Sequence, residues 1–203
     1  MKRLLTCMAF GLTAFASQAV TPLWMRDVQI SPDGSTVAFC YKGDIYTVDA
    51  KGGAAKQLTT QDSYECTPIW SPDGKQIAFA SDRDGNFDIY IMSANGGSAK
   101  KLTKLSVSEM PSTFTPDGKH VVFSASIQDP AQSALFPTSA MPELYQVPVE
   151  GGRTKQIIAT PAEAVCYVKD GKSFLYQDRK GFEDEWRKHH TSSITRDIWL
   201  YDA

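Results

Sequence analysis

Residues 70–79, WSPDGKQIAF, place a tight turn between two apolar stretches. The turn recurs as SPDG at 31–34 and 71–74, as TPDG at 115–118 and as the divergent VKDG at 168–171. Serine, proline, aspartate and glycine in this order are typical of a type I turn, in which proline fixes φ and glycine accepts a positive φ. The sequence therefore predicts a hairpin that is repeated along the chain.

Each turn is followed by the same series of short motifs. An apolar triplet comes first, then an acidic–apolar–aromatic triplet, then a Gly-Gly pair that suits a second tight hairpin. The acidic residue precedes the first glycine by 8 positions in three units, whereas the interval from the turn aspartate to the acidic residue grows from 11 to 15, 26 and 27. Units of four strands and about 40 residues are typical of a β-propeller. The acidic–apolar–aromatic triplets are 44–46, 88–90, 143–145 and 197–199.

The composition of the strands distinguishes the propeller from the alternative, a Greek-key sandwich. Residues 89–92, Ile-Tyr-Ile-Met, show no polar alternation, which favours a strand that is buried on both faces. We therefore expect an all-β fold, a β-propeller fragment of three complete blades and part of a fourth. In the first two blades we expect the fourth strand to end in residues 57–59 and 101–103. The predicted blades are about 24–60, 64–104, 108–159 and 162–203.

Residues 1–19 have the organisation of a secretory signal peptide. Lys2 and Arg3 precede an apolar run at 4–16, and residues 17–19 form a small-x-small cleavage site. A buried N-terminal helix is the alternative. The expected mature chain, residues 20–203, is exported to the periplasm or secreted.

Charge and cysteine content limit the partners. Loss of residues 1–19 changes the formal charge from −2 to −4, and no basic patch suggests a nucleic acid as a partner. An oxidising compartment allows one pair among Cys40, Cys66 and Cys166, and the alternative is that they are small buried residues in strands. The absence of a CxxC motif argues against zinc.

Two stretches carry a resemblance to known families. Residues 70–103 resemble the WD40-like PD40 repeat of TolB-type propellers, which TolB-type proteins share with prolyl-oligopeptidase-type enzymes and tricorn-type proteases. Residues 181–202, GFEDEWRKHHTSSITRDIWLYD, are similar to a stretch in the propeller of bacterial tricorn-type proteases of the S41 serine peptidase family. The resemblance implies that a PDZ-like region and a protease domain follow the propeller, and that the propeller gates or guides peptides to that domain.

The loop between the second and third strands of the fourth blade is the candidate site for a peptide or protein ligand. Long loops on one face of a rigid scaffold are common binding sites, and aromatic residues and arginines anchor interfaces. In the alternative, Trp186 folds onto the propeller and the charges are merely solvated. The candidate residues are Phe182, Trp186, Arg187, His189, His190 and Arg196.

No pattern for catalysis, a metal or a cofactor is found in the sequence. GxSxG, HExxH and glycine-rich phosphate loops are absent, and His189-His190 lack a third zinc ligand. Asp82, Asp84 and Asp88 suggest a calcium loop, but without the closing glutamate of an EF-hand a polar β-connection is favoured. We therefore expect a non-catalytic chain without metal or cofactor, from a parent that is a serine-type peptidase. The alternatives are a TolB-like binding protein and the gating propeller of a prolyl-oligopeptidase-type hydrolase.

The last unit stops after Asp197–Trp199, before its expected Gly-Gly pair. We therefore expect an N-terminal fragment whose partner is the missing remainder of the polypeptide, with further blades, a PDZ-like region and the protease domain. Association of copies into a homo-oligomeric ring is the alternative. An uncovered last blade also predicts poor solubility.

Overall fold

The computed structural model describes residues 24–127, 141–178 and 196–202. Fifteen strands in four antiparallel sheets form the regular structure of these ranges. No helix in these ranges has the length and apolar character needed to span a membrane.

Each sheet, or blade, is formed by consecutive strands. Blade one contains β1 (Arg26–Ile30), β2 (Thr36–Tyr41), β3 (Asp44–Asp49) and β4 (Lys56–Gln57). Blade two contains β5 (Glu65–Trp70), β6 (Gln76–Ser81), β7 (Asp88–Ser93) and β8 (Lys100–Lys101). Blade three contains β9 (Glu109–Phe114), β10 (His120–Ala125), β11 (Glu143–Pro148) and β12 (Lys155–Ile158). Blade four contains β13 (Ala162–Tyr167), β14 (Phe174–Asp178) and β15 (Ile198–Tyr201).

The arrangement of the blades confirms the predicted propeller. The first strands of consecutive blades contact one another, β1 with β5, β5 with β9 and β9 with β13. The four sheets are therefore stacked around a common axis with β1, β5, β9 and β13 innermost, and the fourth has three described strands. The alternative, a Greek-key sandwich, is wrong, because each described sheet is built from consecutive strands and no described strand crosses to another sheet.

The fourth strand is shorter than we expected in the first two blades. It ends at Gln57 and at Lys101, so the prediction that it includes the following Leu-Thr pair is wrong by two residues. The threonine hydroxyls accept the hydrogen bonds there: the N–H of Ile45 donates to Thr59 Oγ1 at 2.9 Å, and that of Ile89 to Thr103 Oγ1 at 2.9 Å. The backbone N–H groups of Leu58 and Leu102 still donate to Ile45 O and Ile89 O at 2.8 Å, and the threonine side chains take over after them.

Apolar side chains fill the spaces between the blades. Ile89, Tyr90, Ile91 and Met92 of β7 are all buried, as predicted for a strand covered on both faces. Directly paired positions on the second and third strands carry stacked rings in three blades, with centroids 5.7–6.0 Å apart. The ring pairs are Phe39–Tyr46, Phe79–Tyr90 and Phe123–Tyr145.

The repeated turn has the predicted geometry and a side-chain network. In the first copy the N–H of Gly34 donates to Ser31 O at 2.9 Å and Gly34 has φ +74°. Asp33 Oδ1 accepts hydrogen bonds from the Ser31 hydroxyl at 2.6 Å and the Ser35 N–H at 3.0 Å. These bonds, with that of Ser31 the largest contribution, lower the pKa of Asp33 to about 2.

Turns of neighbouring blades lie against each other. A β-carbon on Gly74 would be 3.8 Å from Pro32 Cδ, and one on Gly118 would be 3.7 Å from Pro72 Cδ. A β-carbon on Gly171 would be 3.5 Å from Pro116 Cβ. A side chain at any of these glycines would therefore touch the proline of the turn in the preceding blade.

Replacing Gly74 by alanine is expected to lower the free energy of unfolding by about 1–2 kcal/mol, because alanine disfavours the φ of +70° found there. Urea unfolding followed by circular dichroism measures the change. Ser98→Ala, at an exposed position of the same blade, is the control and is expected to change little. Equal midpoints for the two variants would contradict the role of the positive φ.

The first and fourth blades expose apolar side chains on the faces that no described blade covers. Trp24 and Ile198 are each 75% exposed, and Ile30 and Leu200 are each 60% exposed. In the two middle blades the corresponding positions are covered by a neighbouring blade. The poor solubility that we expect from such faces stays a prediction.

Candidate functional site

One face of the propeller contains both the loops between second and third strands and the links between blades. The residue that begins a new blade donates its N–H to the residue that precedes the third strand of the previous blade. We call this side the loop face, and the bonds that define it are Glu65 to Gly43 at 2.7 Å, Glu109 to Phe87 at 2.8 Å and Ala162 to Pro142 at 2.8 Å. The two sets of connections therefore share a face, as the alternating strand direction predicts.

The candidate binding loop falls largely outside the described residues. Of its six candidate residues, Arg196 alone lies within 196–202, and its Nη1 is 2.7 Å from Glu163 Oε1 on β13. Arg196 is thus held against the innermost strand of its own blade by an ion pair. The other candidates, whose role stays a prediction, are Phe182, Trp186, Arg187, His189 and His190.

A buried ion pair on the loop face was not predicted from the sequence. Glu65 is fully buried, and its Oε1 pairs with Arg83 Nη2 and accepts from the Ser63 hydroxyl at 3.1 Å. The Arg83 guanidinium also lies 4.3 Å from the centroid of the Tyr90 ring, a cation–π contact. A signal was present in the sequence, since a glutamate stands six positions before the turn in both blade two and blade three.

Two of the three acidic residues considered as a calcium loop flank a lysine. Lys101 Nζ lies 2.7 Å from Asp84 Oδ2 and 2.6 Å from Asp88 Oδ2, so an ammonium group occupies the place between these carboxylates. Burial lowers the pKa of Lys101, but the hydrogen bonds to Asp84 and Asp88 outweigh it and raise the pKa. In the described ranges no three histidine, cysteine, aspartate or glutamate side chains group as a metal site. The arrangement fits the favoured interpretation of these residues as a polar connection between β6 and β7.

Glu109, the equivalent of Glu65 in the next blade, forms no ion pair with any residue that the structure describes. Its side chain is fully buried and accepts a short hydrogen bond from the Thr103 hydroxyl. Burial raises the pKa of Glu109 to about 7, and the negative charge of Asp88 adds to the rise. Glu109 Oε1 and Asp88 Oδ1 are buried without a hydrogen-bond partner among the described residues. When Glu109 carries a proton, only the Asp88 carboxylate of these two neighbouring groups remains negatively charged.

Replacing Glu109 by glutamine is expected to stabilise the protein above pH 7 by about 2–3 kcal/mol and to have little effect below pH 4.5. The pKa of Glu109 is higher in the folded than in the unfolded chain. The folded state therefore binds the proton more tightly, and the wild-type protein loses stability as the pH rises from 4.5 through 7. Urea unfolding at pH 4.5 and pH 8 measures the difference.

Glu150→Gln is the matched control, because the Glu150 side chain is 93% exposed and the change in charge is the same. We expect this variant to show no comparable gain at pH 8. A gain for Glu150→Gln equal to that of Glu109→Gln would attribute the effect to net charge rather than to the buried carboxyl.

The innermost strands share a bulge that the sequence analysis did not predict. Asp27, Thr67 and Ala164 have φ of 51°, 48° and 54°, and each lies four positions before the first residue of its turn. The strand register shifts at these places. In blade three the equivalent residue is Pro111, which pairs with Phe123 while Thr113 pairs with Val122, so Ser112 is the extra residue.

The bulges of the first two blades are joined by a hydrogen bond. The Thr67 N–H donates to Asp27 Oδ2 at 3.0 Å, so a side chain of one bulge satisfies a backbone group of the next. A bulge bends a strand and interrupts its free edge. The edges nearest the axis therefore do not offer an unbroken row of backbone groups to a passing chain.

Comparison with known proteins gives a family and related folds. The profile of the family described as tricorn protease N-terminal beta propeller domain matches residues 22–203. Dipeptidyl-peptidase 5 of Porphyromonas gingivalis is 32% identical over 72 residues, which are 30% of this chain and 10% of that protein. The chain thus corresponds to a small part of that relative's length.

Two solved structures have the same fold. A TolB structure from Agrobacterium tumefaciens superposes with a TM-score of 0.65 at 25% identity, covering 87% of this chain and 60% of that one. The tricorn protease superposes with a TM-score of 0.69 at 22% identity, covering 89% of this chain and 17% of that one, and this similarity shows the fold alone. Because the family profile extends over nearly all of the sequence, the chain belongs to the family of tricorn protease N-terminal β-propeller domains.

Proposed function

We propose that the chain is the non-catalytic propeller portion of an exported tricorn-like S41 serine peptidase. Its role is to gate or guide peptide substrates toward a C-terminal protease domain. The observation that supports this most directly is the family match over residues 22–203. The interrupted inner edges add support, because a guide has to release the peptide that passes along it.

In this proposal the loop face makes the first contact with a peptide. Its links are tied from blade to blade by backbone hydrogen bonds, so the face is a rigid support for the long loops. Phe182 and Trp186 supply apolar contact, and Arg187 supplies positive charge. The Glu163–Arg196 ion pair positions one end of the loop of blade four.

Binding of a fluorescein-labelled, reduced and carboxymethylated casein peptide to the purified full chain tests the proposal. We expect a rise in anisotropy for the unfolded peptide, none for a folded protein of similar size, and no cleavage of the peptide. Trp186→Ala is expected to weaken binding about 30-fold, the effect of losing a central interface anchor. Trp24→Ala, an exposed tryptophan on blade one, is the matched control and is expected to bind normally. Unchanged binding by Trp186→Ala would contradict the assigned site, and cleavage would contradict the non-catalytic role.

A TolB-like protein-binding propeller is the second candidate, favoured by the superposition with the Agrobacterium tumefaciens structure. In that case the chain binds folded partner proteins rather than unfolded peptides, so the same assay separates the two. A third candidate, the gating propeller of a prolyl-oligopeptidase-type hydrolase, is favoured by the local identity to dipeptidyl-peptidase 5. The coding sequence after Ala203 distinguishes it, because that parent encodes a GxSxG motif.

Export is tested by the N-terminus of the protein recovered from cells. If residues 1–19 are a signal peptide, the secreted or periplasmic protein begins at Val20. N-terminal sequencing of the protein from a periplasmic extract is the measurement. Recovery of the chain with Met1 intact in the cytoplasmic fraction would contradict export.

A further inference from the structure

The junction between the first two blades contains two of the cysteines that remain after residue 19. Cys40 lies on β2 of blade one and Cys66 on β5 of blade two, and both are buried in one apolar cluster with Ile45 and Phe79. Cys166 is exposed on β13 of blade four, so the prediction that the cysteines are buried holds for two of the three. The fold thus brings one possible pair together across a junction.

The Cys40 side chain is directed at the backbone next to Cys66. Its Sγ donates a hydrogen bond to Glu65 O at 2.9 Å, which is the carbonyl of the peptide bond that joins Glu65 to Cys66. The strands β2 and β5 are in contact. Forming a bond between the two sulfurs requires Cys40 to give up its hydrogen bond to Glu65 O and turn toward the next residue.

Both groups are thiols of low reactivity once the protein is folded. Burial raises the pKa of Cys40 and raises that of Cys66 to about 11, and the proximity of Cys40 contributes to the rise at Cys66. The thiolate is the reactive form, and little of it is present at neutral pH in such surroundings. A reaction between these residues would therefore require the chain to be still folding, with the junction open to solvent.

We propose that Cys40 and Cys66 form a disulfide that joins blade one to blade two when the chain folds in an oxidising compartment. The oxidant is a small-molecule disulfide such as oxidised glutathione. The thiolate of one cysteine attacks it and releases one glutathione thiolate, and the second cysteine attacks the mixed disulfide and releases the other. Two cysteine thiols are oxidised, one glutathione disulfide is reduced, and the two protons pass to the released thiolates.

The test is to refold the full chain in a buffer of reduced and oxidised glutathione, alkylate it with iodoacetamide and digest it with trypsin. We expect a linked pair of peptides 27–42 and 57–75, lighter than their sum by two hydrogen atoms. The thiols that can be titrated in denaturant fall from four per chain to two. Four alkylated cysteines, or a link that contains Cys7 or Cys166, would overturn the proposal. The experiment does not depend on where the protein resides, so failure of the proposed export leaves it intact.

Variants show which sulfurs are involved. Cys40→Ala and Cys66→Ala are each expected to lose the linked peptides, and the control Cys166→Ala is expected to keep them. In wild type and Cys166→Ala the oxidised protein unfolds at a higher urea concentration than the reduced protein, whereas in Cys40→Ala the two midpoints coincide. Loss of the link in Cys166→Ala contradicts the pairing. Should an alanine variant fail to fold, the linked peptides of the wild type still decide the question.

Discussion

Phe123→Ala is expected to lower the free energy of unfolding by about 3–5 kcal/mol, since the ring is fully buried between two covered blades. Phe123 stacks on Tyr145 with centroids 5.9 Å apart and shares a cluster with Ile69 of blade two. Alanine removes the apolar contacts and leaves a cavity that rigid strands on both sides cannot close. Urea unfolding followed by circular dichroism gives the loss as a shift of the midpoint at unchanged slope.

The matched control is Leu175→Ala in blade four. Leu175 belongs to the corresponding apolar triplet but is 41% exposed on an uncovered face, so we expect a loss of about 0.5 kcal/mol. The contrast isolates burial by a neighbouring blade from the apolar character of the residue. Similar losses for the two variants would show that blade four is covered in solution or that blade three is loosely packed.

Arg83→Met is expected to cost about 3–5 kcal/mol, because it leaves the fully buried Glu65 carboxylate without its cation. Methionine retains the length and apolar contact of the side chain while removing the guanidinium. Adding Glu65→Met to this variant is expected to recover most of the loss, since an apolar pair does not require charge compensation. The four proteins form a double-mutant cycle in which urea unfolding measures the coupling energy.

An exposed ion pair supplies the comparison. Lys75 Nζ lies 3.8 Å from Asp73 Oδ2, and the two side chains are 82% and 58% exposed. We expect Lys75→Met to change the free energy of unfolding by about 0–1 kcal/mol. If Arg83→Met had no larger effect than Lys75→Met, or if the double variant were as unstable as Arg83→Met, the Glu65–Arg83 pair would not be the reason for the loss.

The sequence was sufficient for those features that a few consecutive residues determine by themselves. The order Ser-Pro-Asp-Gly predicts the hairpin, and in the structure Ser31, Asp33 and Gly34 make the bonds of that turn among themselves. The constant spacing from acidic residue to glycine likewise predicts the third strand and the hairpin after it. The turn residues and the repeat spacing predict the same hairpins at these positions, so the prediction required no knowledge of tertiary contacts.

Features that depend on contacts between residues far apart in the sequence were not predicted. Glu65 is polar and begins an apolar strand. Its burial is explained by the hydrogen bonds that Arg83 and Ser81 donate to its carboxylate. The bulges occur at Asp27, Thr67 and Ala164, which have no residue type in common, so no repeated residue marks them in the sequence. The short fourth strands were missed because a threonine hydroxyl can replace a backbone acceptor, a choice that composition does not reveal.

The close approach of glycine and proline in successive turns makes the two faces of the propeller unequal in their tolerance of insertions. An insertion in any one of these turns would displace the turn of the next blade, whereas the connections between second and third strands already differ in length from 11 to 27 residues when counted from the turn aspartate. Among the four units of this chain, the large differences in length therefore lie on the loop face. A designer who wishes to graft a foreign epitope onto this scaffold has the same single side available.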